Sequence, residues 1–149
     1  MGARTAQGTT LWVDTLLAST GATPTFPTQV ICPTSIGDIG GGDRTEIDVS
    51  TLCSMSKEFL LGLRDEGELT IELPWCATDA GQSIVQTAYD DNGAGNRLSF
   101  QIRVPADGTD PAVNFTFEAL VKQFSKSMAV DEYIKGSMSL RIVTPIAQS

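Results

Sequence analysis

Arg97-Leu-Ser-Phe-Gln-Ile-Arg-Val104 sets Leu98, Phe100, Ile102 and Val104 against Ser99, Gln101 and Arg103. A period of two is the mark of a strand with one buried and one polar face. The same alternation recurs on both sides of it. Residues 67–73 place Leu69, Ile71 and Leu73 between Glu68, Thr70 and Glu72. Val113, Phe115 and Phe117 alternate with Asn114, Thr116 and Glu118, and Met138, Leu140 and Ile142 with Ser139 and Arg141. Over residues 119–124 the phase blurs, as it does at a bulge or bend. Weaker strands are expected at residues 9–13 and 28–31. One helix is expected from about residue 79 to 91, with Asp79 as its cap and Gln82 at the capping-box position. Ile84, Val85, Ala88 and Tyr89 would form its apolar stripe, and Asn92-Gly93 its stop. The reading is mainly β: one short helix on a mostly antiparallel sheet, with no internal repeat.

The chain has 149 residues, one domain's worth, and a net charge of −8. A hydrophobic content of 41% is ordinary for a globular chain. Its mass predicts an exposed area of about 7,300 Å² for a compact monomer, with a core that needs no disulfide or metal. The negative charge argues against a partner gripped through phosphates. It leaves room for DNA that passes nearby without being held. No stretch approaches 18 apolar residues, and the first residues carry neither an apolar leader core nor a myristoylation pattern, so neither export nor a membrane is expected.

Candidate chemistry is sparse. The absence of histidine removes Ser-His and Cys-His nucleophile pairs, imidazole metal ligands and the usual base near neutral pH. Cys32, Cys53 and Cys76 lie about twenty residues apart and are odd in number, which fits free thiols better than a zinc site or a disulfide framework. Ser54-Met-Ser-Lys57 has the S-x-x-K spacing without its S-D-N and K-T-G partners. Asp90-Asp-Asn-Gly93 and Asp107-Gly-Thr-Asp110 lack the ligand spacing of calcium loops and read as turns. Gly40-Gly-Gly42 lacks the Lys-Ser/Thr of a phosphate loop, and Asn114-Phe-Thr116 is a sequon inside an expected strand. No enzyme, cofactor or metal is expected.

Two stretches resist the simple sheet. Residues 17–28 read as a Thr-, Gly- and Pro-rich loop. Residues 36–66 lack strand alternation, although their second half is strongly apolar. Val49, Leu52, Met55, Phe59, Leu60, Leu61 and Leu63 crowd sixteen positions. Ordering such a segment costs at least as much as burying its side chains returns, and leaving it bare presents a sticky patch. Either Met55, Phe59, Leu60 and Leu63 form a short helix packed on the chain's own sheet, or the cluster docks on another molecule. Docking is the favoured reading, because the sheet and the helix after Asp79 already make a layer pair. Charge concentrates in the same region: residues 38–91 hold twelve acids and three bases, the rest six acids and seven bases. That is −9 against +1, and one surface of the folded protein should be strongly negative.

Gly8-Thr-Thr-Leu-Trp-Val13 and the run from Ile47 to Leu73 resemble the major tail tube proteins of long, non-contractile-tailed bacteriophages. The second run carries D-V-[ST]-x-L, K-E-F, G-L-x-D and G-E-L-T elements in order. The resemblance implies a β-sandwich or split β-barrel with one flanking helix, a single domain over residues 1–149. It implies a long inter-strand assembly loop at 39–66 and terminal arms at 1–8 and 144–149. Subunits of that kind form sixfold rings that stack into a tube, with themselves, tape measure, tail terminator and tail tip proteins as partners. The loop would reach neighbouring subunits, which makes Val49, Leu52, Met55, Phe59, Leu60, Leu61 and Leu63 interface candidates. The lumen of such tubes is acidic, which makes Glu68, Glu72 and Glu118 lumen candidates. The location implied is the virion tail, after assembly in the host cytoplasm. Rival readings are a small ligand- or sugar-binding β-sandwich, for which exposed aromatics are scarce, and the inner tube of a contractile tail or secretion system.

Overall fold

The computed structural model describes residues 7–30, 33–39, 43–51, 56–57, 59–130 and 132–149. Its strands are β1 (Thr10–Asp14), β2 (Thr28–Val30), β3 (Ser35–Ile36), β4 (Arg44–Asp48), β5 (Phe59–Arg64), β6 (Glu68–Pro74), β7 (Arg97–Val104), β8 (Val113–Ser127), β9 (Lys135–Ile142) and β10 (Ala147–Gln148). One helix, α1 (Ala80–Asp90), and two short 3-10 turns, Ala18–Thr20 and Ala94–Asn96, complete the described elements.

The architecture turns on β8. Its first half pairs antiparallel with β7, from Val113↔Val104 to Leu120↔Arg97. Its second half pairs with β9, from Ala119↔Ile142 to Ser127↔Lys135. One strand therefore belongs to two half-sheets, β2-β1-β7-β8 and β8-β9-β6-β3. Between Val121 and Gln123 the register shifts, where the sequence alternation blurs. A bulge there bends and twists the strand. β10 covers β8 at Phe115 and Thr116. The path ends at β2 and β3, so the sheet is sandwich-like and not a closed barrel.

The apolar faces of the two half-sheets share one core. Leu11, Val13, Phe100, Ile102 and Phe117 come from one half, Leu69, Ile71, Leu73, Met138 and Leu140 from the other. The alternation read in residues 68–74 appears directly as an exposed–buried alternation through Leu73. Phe100 and Phe117 stack with ring centroids 5.8 Å apart across the β7–β8 ladder.

Helix α1 begins as expected, with an Asp79 carboxylate oxygen accepting the Gln82 N–H at 3.0 Å. Gln82 does not complete a capping box. Its side chain accepts the Cys76 N–H at 3.0 Å and donates to the Pro74 carbonyl at 2.8 Å, pinning the helix to the end of β6. The apolar stripe is narrower than the sequence implies: Val85 and Ala88 are buried, while Tyr89 is exposed. Gly81 lets the helix reach β2, since a Cβ there would stand 2.6 Å from the Val30 Cα.

The segment between β3 and β6 departs most from expectation. Residues 44–48 and 59–64 are neither structureless nor helical; they pair as a two-stranded antiparallel sheet separate from the main one. A helix packed on the subunit's own sheet through Phe59, Leu60 and Leu63 is thereby excluded.

Candidate assembly site

The β4–β5 arm pairs Asp48 with Phe59, Ile47 with Leu60 and Glu46 with Leu61, with an irregularity between Arg44 and Glu46. Residues opposite one another in a ladder share a face. Phe59 and Leu61 therefore stand beside Glu46 and Asp48 on one face, while Ile47 and Leu60 occupy the other. Leu63 continues the first set by alternation. Both faces are bare. Relative exposures are 51% for Phe59, 58% for Leu60, 62% for Leu61 and 96% for Leu63, with Ile47 and Val49 also exposed. A run such as Phe59-Leu-Leu normally belongs to a strand covered on both sides. Here the subunit covers neither.

The base of the arm is fastened to the main sheet. The Asp65 N–H donates to the Asp43 carbonyl at 2.8 Å. The Asp65 carboxylate accepts the Gly67 N–H at 2.9 Å and an Arg141 guanidinium N–H at 2.7 Å from β9. The Gly67 N–H, with Arg141, holds the Asp65 carboxyl below its ordinary value. The whole chain exposes 9294 Å², well above the roughly 7,300 Å² of a compact monomer.

Of the seven interface candidates, Val49, Phe59, Leu60, Leu61 and Leu63 lie on or beside this arm and are exposed. Leu52 and Met55 lie outside the described residues, as do Cys32, Cys53, residues 1–6 of the N-terminal arm and Gly40-Gly-Gly42. Cys76 is a free thiol, drawn below its ordinary pKa by hydrogen bonding from Thr78. Asp107 and Asp110 exchange backbone hydrogen bonds in a closed turn.

The three lumen candidates separate. Glu72 is exposed and has no ion-pair partner among the described residues. Glu68 meets the Lys122 ammonium at 2.6 Å. Glu118 differs from the other two in being only 5% exposed on the subunit. Its carboxylate accepts Arg97 Nε at 2.8 Å, Ser19 Oγ at 2.7 Å and the Ser19 N–H at 3.1 Å. Burial pushes its pKa up, but Ser19 and Arg97 together hold it below the ordinary value.

Two features escape the sequence reading. Asp14, which ends β1, accepts N–H groups from Leu16, Thr25 and Phe26 at 3.0, 2.8 and 3.1 Å. With Glu118 holding Ser19, it clamps the 15–27 loop at two points. An acid directly after Trp12-Val13 is the only sequence hint. The second feature is the tip of the β8–β9 hairpin, where Met128, Val130 and Tyr133 are exposed. Nothing in Met128-Ala-Val-Asp-Glu-Tyr133 has a periodicity to reveal it.

A family model described as phage tail tube, TTP, lambda-like, matches residues 2–147. The chain belongs to this tail tube family. The tail tube protein is thus a structural virion tail component and not an enzyme. No curated protein matches it. Among solved structures, the SPP1 tail tube superposes with a TM-score of 0.65 at 17% identity, covering 100% of this chain and 78% of that one. A chain in the virion of a native gene transfer agent particle gives 0.63 at 12% identity, covering 99% of both. One from the anti-feeding prophage baseplate gives 0.59 at 10% identity, covering 100% and 97%. At such identities these likenesses establish the fold.

Proposed function

We propose that the tail tube protein is the repeating subunit of a tube of stacked hexameric rings, through which DNA leaves the phage. The observation that carries this reading is the β4–β5 arm, apolar on both faces and covered by neither half-sheet. A bare two-stranded hairpin is marginal in water, and an uncovered patch of Phe and Leu invites aggregation unless a specific partner covers it. In a polymer of identical subunits every arm meets a partner. Phe59, Leu60, Leu61, Leu63 and Val49 cement the subunits in this reading, with Leu52 and Met55 from the adjoining segment. The net charge of −8 lets DNA slide through without adhering, because like charge opposes close contact. Tape measure, terminator and tip proteins engage the finished tube, and assembly takes place in the host cytoplasm.

Purified protein examined by size-exclusion chromatography and negative-stain microscopy tests this directly. Rings or tubes with sixfold end-on views are expected. A stable monomer at every concentration and ionic strength overturns the proposal.

A further inference from the structure

Beyond Arg64 the chain leaves the arm and enters β6 through Asp65-Glu66-Gly67. So short a turn has few dihedral angles, and Asp65 and Gly67 are both tied. The Asp65 N–H donates to the Asp43 carbonyl at 2.8 Å, which brings the foot of β4 to the same point. Asp65 Oδ1 accepts the Gly67 N–H at 2.9 Å and an Arg141 guanidinium N–H at 2.7 Å. Gly67 stands at φ 80°, in the left-handed region, and its carbonyl accepts the Ile142 N–H at 3.1 Å. Two successive residues of β9, one through its side chain and one through its backbone, thus grip the two ends of one turn. The ladder shows why Arg141 reaches for the arm. Its partner across the β6–β9 pairing is Glu68, whose carboxylate is engaged by the Lys122 ammonium at 2.6 Å. The guanidinium turns instead to Asp65.

We propose that the Asp65–Arg141 ion pair is the latch that sets the direction in which the β4–β5 arm leaves the subunit, which makes Arg141 a positioning residue for assembly. This rests on the tube-subunit reading, in which the arm is the element that joins subunits. An ion pair with both partners about half exposed contributes little to fold stability. Its leverage is angular. The six residues of β5 span about 20 Å at about 3.3 Å per residue, so a swing of about 10° at the foot carries Phe59 by about 3–4 Å. The core of a specific interface is packed as closely as a protein interior, and no such displacement fits one. An arm held in its docking direction also gives up less freedom on docking than one that swings, and preorganisation of this kind strengthens association. Neither Asp65 nor Arg141 needs to touch the neighbouring subunit for this.

The test reads direction and assembly separately. In the dissociated subunit, spin labels carried by genetically encoded keto amino acids at Leu61 and Thr70 leave the native cysteines untouched. Pulsed electron spin resonance then reports the distance from the arm to β6. A narrow distribution is expected with Asp65 and Arg141 intact, and a broadened or displaced one in Arg141→Gln. Asp65→Asn removes the charge but keeps an oxygen for the Gly67 N–H. Each single variant should raise the concentration needed for tube formation by about tenfold or more, while its urea midpoint stays at the wild-type value. Asp65→Asn with Arg141→Gln should do no worse than either alone, because both remove one and the same interaction. Arg141→Lys should recover most of the loss. An unchanged distance distribution, unimpaired assembly, additive effects, no recovery in Arg141→Lys, or a midpoint that falls in step with assembly overturns the inference and leaves the tube reading intact. Failure of wild-type protein to form tubes defeats that reading instead, and the distance distribution alone then decides whether the pair sets the arm's direction.

Discussion

Asp14 and Glu118 are buried carboxylates whose partners act in one direction. Burial pushes the Asp14 pKa up, but N–H donors from Leu16, Thr25, Phe26 and Thr15 outweigh it and hold the carboxyl below its ordinary value. A depressed folded-state pKa contributes stability that is complete above the unfolded value, near 4, and is lost as pH falls through the lower folded value. Asp14→Ala strands the buried Phe26 N–H, a loss of about 1–3 kcal/mol at neutral pH. Phe26 adds to the demand on this clamp, because it sits at φ 51°, in the left-handed region that a bulky residue disfavours. Urea melts of wild type and Asp14→Ala at pH 7 and pH 3 should show a gap that narrows at the acid end. A pH-independent gap would mean that the carboxylate charge is irrelevant. Gly81 poses a steric question instead. The atoms its missing Cβ would strike include the Val30 Cα and the Gln29 carbonyl, at 2.6 and 2.8 Å, and backbone cannot step aside as a side-chain tip can. Gly81→Ala should therefore lose about 1–3 kcal/mol despite the better helix propensity of alanine. An unchanged denaturation midpoint would show that α1 is free to slide off β2.

Among the elements, those that face the core are the ones their sequence reveals. β6 and β9 each bury one face on a shared interior, so the period of two is imposed by packing and can be read back, while β7 and β8 also bury Ser99 and Glu118 from the opposite face. The bulge near Lys122 shows as a blurred phase for the same reason. β4 and β5 escape because no interior imposes a pattern on them. Phe59-Leu-Leu is exposed on the subunit, and its apolar spacing imitates a helix. The clamps at Asp14 and Glu118 are equally hidden, since their partners stand up to 99 residues apart in the chain. The arm's exposure makes its behaviour calculable. Amides of residues 44–48 and 59–64 should exchange with deuterium within seconds to minutes in the dissociated subunit and far more slowly in tubes, while β7 and β9 are protected in both. Equal protection of the arm in both states would remove its role in assembly. Phe59→Ala with Leu60→Ala truncates one residue on each face of the arm. Both are already half exposed, so the subunit should lose well under the 2–5 kcal/mol of a core truncation. Tube formation should collapse, because losing only about 1.4 kcal/mol per contact weakens each one tenfold. A double variant with a lower melting temperature and unimpaired assembly would place the pair in a core after all.

At the scale of the whole molecule, charge and polymer geometry act together. In the proposed tube each subunit contributes −8, and stacking would repeat every charge at the spacing of the subunits, so that a small change in one chain would recur along the full path of the DNA. Glu118 is consumed inside the fold and Glu68 is partly neutralised by Lys122, which leaves Glu72 as the lumen candidate with an unopposed charge among the described residues. Glu72 stands on β6 between Ser35 of β3 and Ser137 of β9, where its exposed side chain contributes nothing to the core. Glu72→Lys should accordingly leave the subunit's stability and the tube yield near wild type. If the side chain faces the lumen, the effect falls on transit. Duplex DNA carries a negative charge about every 1.7 Å along its axis, and an attraction of about 1 kcal/mol between unit charges 4 Å apart in water, repeated ring after ring, turns a sliding surface into a braking one. Phage carrying the variant should assemble full-length tails yet eject DNA more slowly, with the deficit shrinking as salt screens the interaction. Ejection at the wild-type rate from full-length tails would place Glu72 on the outer wall of the tube.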